Sequence, residues 1–291
     1  MRFILLALSL AGMASPLAAQ ELPRAISTDP PHDAKYPARM VVLHISSGEV
    51  RINGVAYLAA GPGLHPTFVL LHGLPGNEKN LDLAQAVRRA GWNAITMNYR
   101  GSWGSPGSFR FAYTLEDADA VLSYLRDTAN VRALAIDTTR MVLAGHSMGG
   151  WVTAMTAAHD HDLRGAILIS AVNMGRLGQL GDTARVRLVE TMRDNMESLA
   201  GVTADAEADE LIANADAFNW DHAVAGLVRL PLLVLTADDG LAPPATTLAE
   251  SLRARGNRHV TTVHVATDHS WSDRRIELEA LVLHWLQELP H

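Results

Sequence analysis

The chain has 291 residues, 48% hydrophobic and 19% charged, with a formal net charge of −7 at pH 7. That length is enough for one large α/β domain with its own core, and the negative balance, with no run of Lys and Arg, argues against a nucleic-acid partner. Cysteine is absent, which removes a thiol nucleophile, a thiolate zinc site and a lipid-modified cysteine, and leaves stability to the core alone.

In chain order, residues 1–19 read as a secretory signal. Met1 and Arg2 supply a positive start. Residues 3–13 are apolar but too short for a comfortable span, and small residues lead to cleavage after Ala19. The competing reading is an uncleaved anchor. No second apolar run has membrane length, so no stable span is expected once the signal is removed, and the expected location is periplasmic or secreted. Residues 20–38, polar and proline-bearing, predict an extended leader. Strands are expected over 39–45 and 50–58, joined by a turn at 46–49 as an antiparallel hairpin. The apolar run at 67–71 predicts a strand covered on both faces. A helix over about 80–90 stops at Gly91. A strand over 92–98 is followed by a helix over 114–127, whose Leu115, Ala118, Val121, Leu122 and Leu125 share one face. Further strands are expected at 140–144, 163–171, 231–235 and 259–266, with helices over 150–158 and 274–289. This alternation predicts a mostly parallel sheet with helices on both faces. Residues 172–230 break the rhythm, with helices expected at 184–197 and 206–213 and no strand. An insertion this long predicts a helical lid or cap, against the plainer reading of helices packed on the sheet flank. The core is therefore divided into 39–171 and 231–291.

Gly145-His146-Ser147-Met148-Gly149 carries the most chemical information. It has the G-x-S-x-G spacing, with an apolar strand running in and a small-residue helix running out. A serine on so tight a strand-to-helix turn is lifted out of the sheet, and the glycines let the two backbones approach. A hydroxyl is a poor nucleophile alone, so the motif requires a histidine base and a carboxylate elsewhere. His269 follows the last strand and precedes the last helix, at the strands' C-terminal edge where such sheets collect their ligands. Among the other histidines, His264 is expected to pack within a strand. His146 cannot readily reach back to Ser147. His159 and His161 read as a solvated helix end rather than a metal site. The acid should follow the strand at 231–235, where Asp238 and Asp239 are adjacent and only one can face the imidazole. Asp268, beside His269, is a poorer candidate. His72-Gly73-Leu74-Pro75-Gly76 follows the buried strand and suits an oxyanion loop. Pro75 has no N–H, so its donor is Leu74 or Gly73, with Leu74 taken as the donor and Met148 as the other.

In order, H-G-L-P-G, G-H-S-M-G, D-D-G-L-A-P and D-H-S-W resemble the α/β-hydrolase superfamily over roughly 41–289. The resemblance implies an α/β-hydrolase fold and a Ser147, Asp239, His269 triad. Asp239, four residues before Pro243, matches the family's acid and Asp238 does not. Asn98-Tyr99-Arg100-Gly101 is similar to a loop of bacterial relatives of the prolyl-oligopeptidase and acylaminoacyl-peptidase catalytic domains, where it shapes the sheet edge and pocket. No propeller is expected ahead of the domain, so size-gated oligopeptide cleavage is not implied, and no catalytic role carries over to Ser102 or Ser105. The expected activity is hydrolysis of a small carboxylic ester through an acyl-enzyme, without cofactor or metal. The runner-up is a peptidase of the acylaminoacyl or aminopeptidase type acting on short peptides. The reading from another class is a non-catalytic binding protein of the same fold, which the presence of all three triad members disfavours.

Overall fold

Apolar runs at 67–71, 141–144, 166–169 and 232–235 form the middle of one eight-stranded sheet. The computed structural model describes residues 21–179 and 182–289; the expected signal at 1–19 lies outside them. The strands are β1 (Arg39–Ser47), β2 (Val50–Leu58), β3 (His65–Leu71), β4 (Asn93–Met97), β5 (Ile136–His146), β6 (Gly165–Ile169), β7 (Leu232–Thr236) and β8 (Val260–His264). They lie in the order β1-β2-β4-β3-β5-β6-β7-β8. β1 and β2 form the expected hairpin, β2 meets β4 antiparallel, and every later pairing is parallel.

The period of two divides each central strand between the faces. Phe68 and Leu70, Val142 and Ala144, Ile167 and Ile169, and Leu233 and Leu235 meet one helical layer. That layer contains α1 (Leu81–Arg89) and α10 (Arg275–Glu288). Val69 and Leu71, Met141 and Leu143, Ala166 and Leu168, and Leu232 and Val234 face the other way. There they meet α2 (Phe111–Arg126), α4 (Met148–His159) and α9 (Ala242–Ala254).

Two helices of the core escaped the sequence reading, as did two short ones within 172–230. α3 (Thr128–Leu134) follows α2 with one residue between, and that residue, Asp127, caps α3 by accepting from the Ala129 and Asn130 amides at 2.9 and 3.2 Å. α9 opens on Ala242 and carries Pro243 and Pro244 in its first turn, which tolerates them because its amides lack helical partners. α2 begins at Phe111, ahead of the expected 114. The Glu210 carboxylate caps it by accepting from the Phe111 and Ala112 amides at 3.1 and 2.9 Å, and a cap that distant in sequence leaves no local signal.

Residues 172–230 carry α5 (Met174–Gly178), α6 (Asp182–Arg193), α7 (Ala204–Ala213) and α8 (Val224–Leu227). Leu188, Met192, Leu211, Phe218, Trp220 and Leu227 are buried in the same cluster as the sheet's second face. The Trp151 Nε1–H on α4 donates to the Phe218 carbonyl at 2.7 Å. Near the hairpin, Asp117 is fully buried on α2. It accepts from the Ser47 hydroxyl at 2.6 Å, the Arg100 amide at 2.8 Å and Arg100 Nε at 2.7 Å, tying β1, the loop after β4 and α2 together.

Candidate active site

Every parallel strand points its C-terminus to the same edge, so the loops after β3, β5, β7 and β8 converge. They bring the H-G-L-P-G loop, Ser147, Asp239 and His269 to one place. Ser147 sits between β5 and α4 at φ 58°, ψ −122°, a conformation costly for a residue with a Cβ and persistent only when the surroundings enforce it. Those surroundings are backbone. A Cβ on Gly145 would lie 2.0 Å from the Gly149 carbonyl oxygen, and one on Gly149 would lie 2.4 Å from that of Leu71. The Ser147 amide donates to the Ile169 carbonyl at 2.9 Å, fixing the turn against β6.

His269 and Asp239 are in direct contact. Nδ1 of His269 donates to Oδ2 of Asp239 at 2.8 Å, and Oδ1 accepts from the Leu241 amide at 2.9 Å. Burial works to raise the Asp239 pKa. The bonds from His269 and Leu241, the His269 charge and the Ser170 hydroxyl outweigh it and hold the carboxyl below its usual value. The Asp239 side chain is 4% exposed. Asp238 turns away: it is 63% exposed and pairs with Nε2 of His264 at 3.0 Å. His264 therefore differs from the expectation of a packed strand residue. β8 is an edge strand, and the His264 side chain is 52% exposed, linking Asp238 to the Thr236 hydroxyl. Asp268 accepts the Ser272 amide at 2.8 Å and shapes its own loop.

The H-G-L-P-G loop rests on Ser147: a Cβ on Gly73 would stand 2.8 Å from Ser147 Cβ. Leu74 and Ser147 line one cavity of about 200 Å³ with Gly73, His269 and Ser270, and Asn77 and Glu78 are also in its wall. Met148 opens α4, so its amide is among those without a partner in the preceding turn. A larger cavity of about 620 Å³ lies at the opposite, N-terminal edge of β6–β8, beside Arg164, Pro231 and His259, remote from these groups.

The sequence reading missed three side chains that hold these groups. His72 is buried, and its Nδ1–H donates to the Gly73 carbonyl at 2.7 Å. That carbonyl belongs to the same peptide unit as the Leu74 N–H, so the bond orients and polarises that amide. Burial lowers the His72 pKa to about 4, against the Gly73 bond and with the Lys79 charge, so the ring is neutral at working pH. His146 does not reach Ser147, as expected, but its Nε2–H donates to the His269 carbonyl at 2.8 Å and its ring lies 4.7 Å from the His269 ring. Burial, with the His269 charge, lowers its pKa to about 4 as well. Arg275 holds the next carbonyl, Ser270, at 2.8 Å, together with Asn80 and Asp82. A histidine directly after a buried strand, and one inside a glycine-packed turn, are the available signals, because neither position leaves room for solvent.

Ser102 and Ser105 bond loop carbonyls of Tyr99 and Asn98. Among the described residues no group of three or more His, Cys, Asp or Glu side chains is placed to hold a metal ion. None of the described helices is long and apolar enough to cross a membrane.

Residues 68–281 match the alpha/beta hydrolase family, and the chain belongs to it. It is a hydrolase by that membership. The fold is shared with Est1E of Butyrivibrio proteoclasticus, solved with bound ferulic acid, at 16% identity and a TM-score of 0.68, covering 85% of this chain and 98% of that one. A hyperthermophilic esterase from the archaeon Pyrobaculum calidifontis aligns at 20% identity and a TM-score of 0.63, covering 87% of each chain. The acylaminoacyl peptidase of Pyrococcus horikoshii aligns at 15% identity and a TM-score of 0.66, over 87% of this chain but only 42% of its own. No curated protein sequence matches the chain.

Proposed function

We propose that the protein is an exported serine hydrolase that cleaves small carboxylic esters through Ser147, His269 and Asp239. The observation that carries this reading is the 2.8 Å bond from His269 Nδ1 to a nearly buried Asp239, with the free edge of the ring and the strained Ser147 on one small cavity. Ser147 Oγ attacks the acyl carbon while His269 Nε2 takes its proton. The carbonyl electron pair moves to oxygen, and the Leu74 and Met148 amides receive that charge, each worth about 3–4 kcal/mol of barrier. Asp239 holds the Nδ1–H tautomer and stabilises the imidazolium. Collapse breaks the ester C–O bond, and the alkoxide takes the proton from His269. Water, deprotonated by the same imidazole, then attacks the acyl-enzyme, releasing the acid and restoring Ser147. The apolar, Pro-Leu-Ala-Ala-ending segment at 1–19 supports export to the periplasm or medium.

The cavity of about 200 Å³ supports short acyl groups. Its Glu78 carboxylate supports the second reading, a peptidase of the acylaminoacyl or aminopeptidase type that takes a substrate amine. A panel of p-nitrophenyl esters from acetate to decanoate, run beside aminoacyl p-nitroanilides, decides between them. The ester reading expects the highest kcat/KM on acetate to butyrate and at least about a hundredfold less on anilides. Faster turnover of anilides would replace it with the peptidase reading.

A further inference from the structure

Three elements meet on the carbonyl of Pro75, one residue beyond Leu74. The Trp103 indole Nε1–H donates to it at 2.6 Å from the loop after β4, and the Ser198 hydroxyl donates to it at 3.0 Å from the 172–230 insertion. Two residues on, Asn77 Nδ2 donates to Glu197 at 2.7 Å. The two donors are themselves fastened together. The Trp103 amide donates to the Ser198 carbonyl at 3.1 Å, Ala200 to Gly101 at 2.8 Å, and Phe109 to Ala200 at 2.9 Å. Gly101 is required at this crossing: it lies at φ +65°, and a Cβ there would stand 2.2 Å from the Phe109 nitrogen. Trp103 is also held from its face, with the Lys79 ammonium 4.3 Å from the ring centroid and bonded to Asn98 at 2.9 Å.

We propose that Trp103 and Ser198 are positioning residues that clamp the 72–80 loop, and with it the Leu74 amide, in register with Ser147. The proposal rests on the hydrolase reading above. An oxyanion donor acts by being already aimed where charge develops, so a loop free to drift loses transition-state stabilisation while ground-state binding persists. His72 orients the Gly73–Leu74 peptide from within, and Trp103 and Ser198 fix the far end from outside. Ser198 gives the insertion a part in catalysis that does not require it to open or close.

Trp103→Phe, which keeps a ring for Lys79 and loses the N–H, Ser198→Ala and the double variant test this. Three readouts apply: kcat per site titrated with a fluorophosphonate, inhibition by phenylboronate, and amide hydrogen exchange of 72–80. Phenylboronate adds to a serine and places an oxygen where the oxyanion would sit. The clamp expects each single variant to lose about 3–10-fold in kcat and the double about 10–100-fold, with phenylboronate weakened by the same factor and KM within about twofold. It also expects faster exchange at 72–80 in the double variant. Packing alone would lower the titrated fraction and the melting temperature while leaving kcat per site unchanged, and that result overturns the proposal. Unchanged exchange at 72–80 overturns it too, whatever happens to turnover. A wild-type protein that neither labels nor turns over would sink the hydrolase reading instead, and exchange would then decide the clamp by itself.

Discussion

Asp239→Asn lowers kcat by about four orders of magnitude with the fold retained, while Asp238→Asn changes it by less than about threefold. The two residues are neighbours of identical chemistry, and the contrast follows from what each touches. Asp239 is nearly buried, accepts from His269 Nδ1 and is held by the Leu241 amide. An asparagine there would present either an oxygen or an NH2 to Nδ1. The NH2 orientation selects the tautomer with its proton on Nε2, which cannot take one from Ser147. The developing imidazolium would also lose its compensating charge. Asp238 faces solvent and pairs with His264, an exposed pair worth at most about 1 kcal/mol. Purified variants with matching circular dichroism and melting curves, assayed on p-nitrophenyl butyrate, give the ranking. The reverse order would remove Asp239 from the proposed triad.

Asp117→Ala destabilises the fold by about 3–5 kcal/mol, the range found when one partner of a buried ion pair is deleted. The substitution leaves Arg100, the Ser47 hydroxyl and the Arg100 amide without their acceptor, inside the junction of β1, α2 and the loop after β4. Arg100 keeps one ion pair, to the half-exposed Glu116, and its guanidinium lies 4.1 Å over the Tyr113 ring, so the junction weakens rather than dissolves. Urea unfolding at pH 7 measures the loss as a lower midpoint at unchanged slope. A change below about 1 kcal/mol would mean that solvent reaches Arg100 and Ser47 in the native protein.

The sheet was legible because its central strands are continuous apolar runs and its hairpin alternates, patterns that follow from burial on two faces or one. Ser147 and His269 were legible as a glycine-flanked turn and a histidine after the last strand. Asp239 was separable from Asp238 only through the family's Asp-to-Pro spacing, since two adjacent carboxylates after a strand are equivalent until the loop's direction is known. α2's true start and the grips of His72, His146 and Trp103 were not legible. Each depends on a partner far along the chain or on a backbone carbonyl, and carbonyls are present at every position. Glu210 capping α2 and Trp103 bonding Pro75 are cases in point. The division at 172–230 was drawn from the lack of strands there, but the bond from that stretch to the Pro75 carbonyl comes through Ser198, a residue with no distinguishing pattern.

The central claim is that Ser147 is the nucleophile of a hydrolase. Incubation of the wild-type protein with a fluorophosphonate, followed by peptide mass mapping, tests it most directly. The expected result is one stoichiometric adduct on Ser147, loss of esterase activity in step with labelling, and no adduct in Ser147→Ala. Equal labelling of Ser147→Ala, or an unlabelled wild type that still hydrolyses esters, would contradict it.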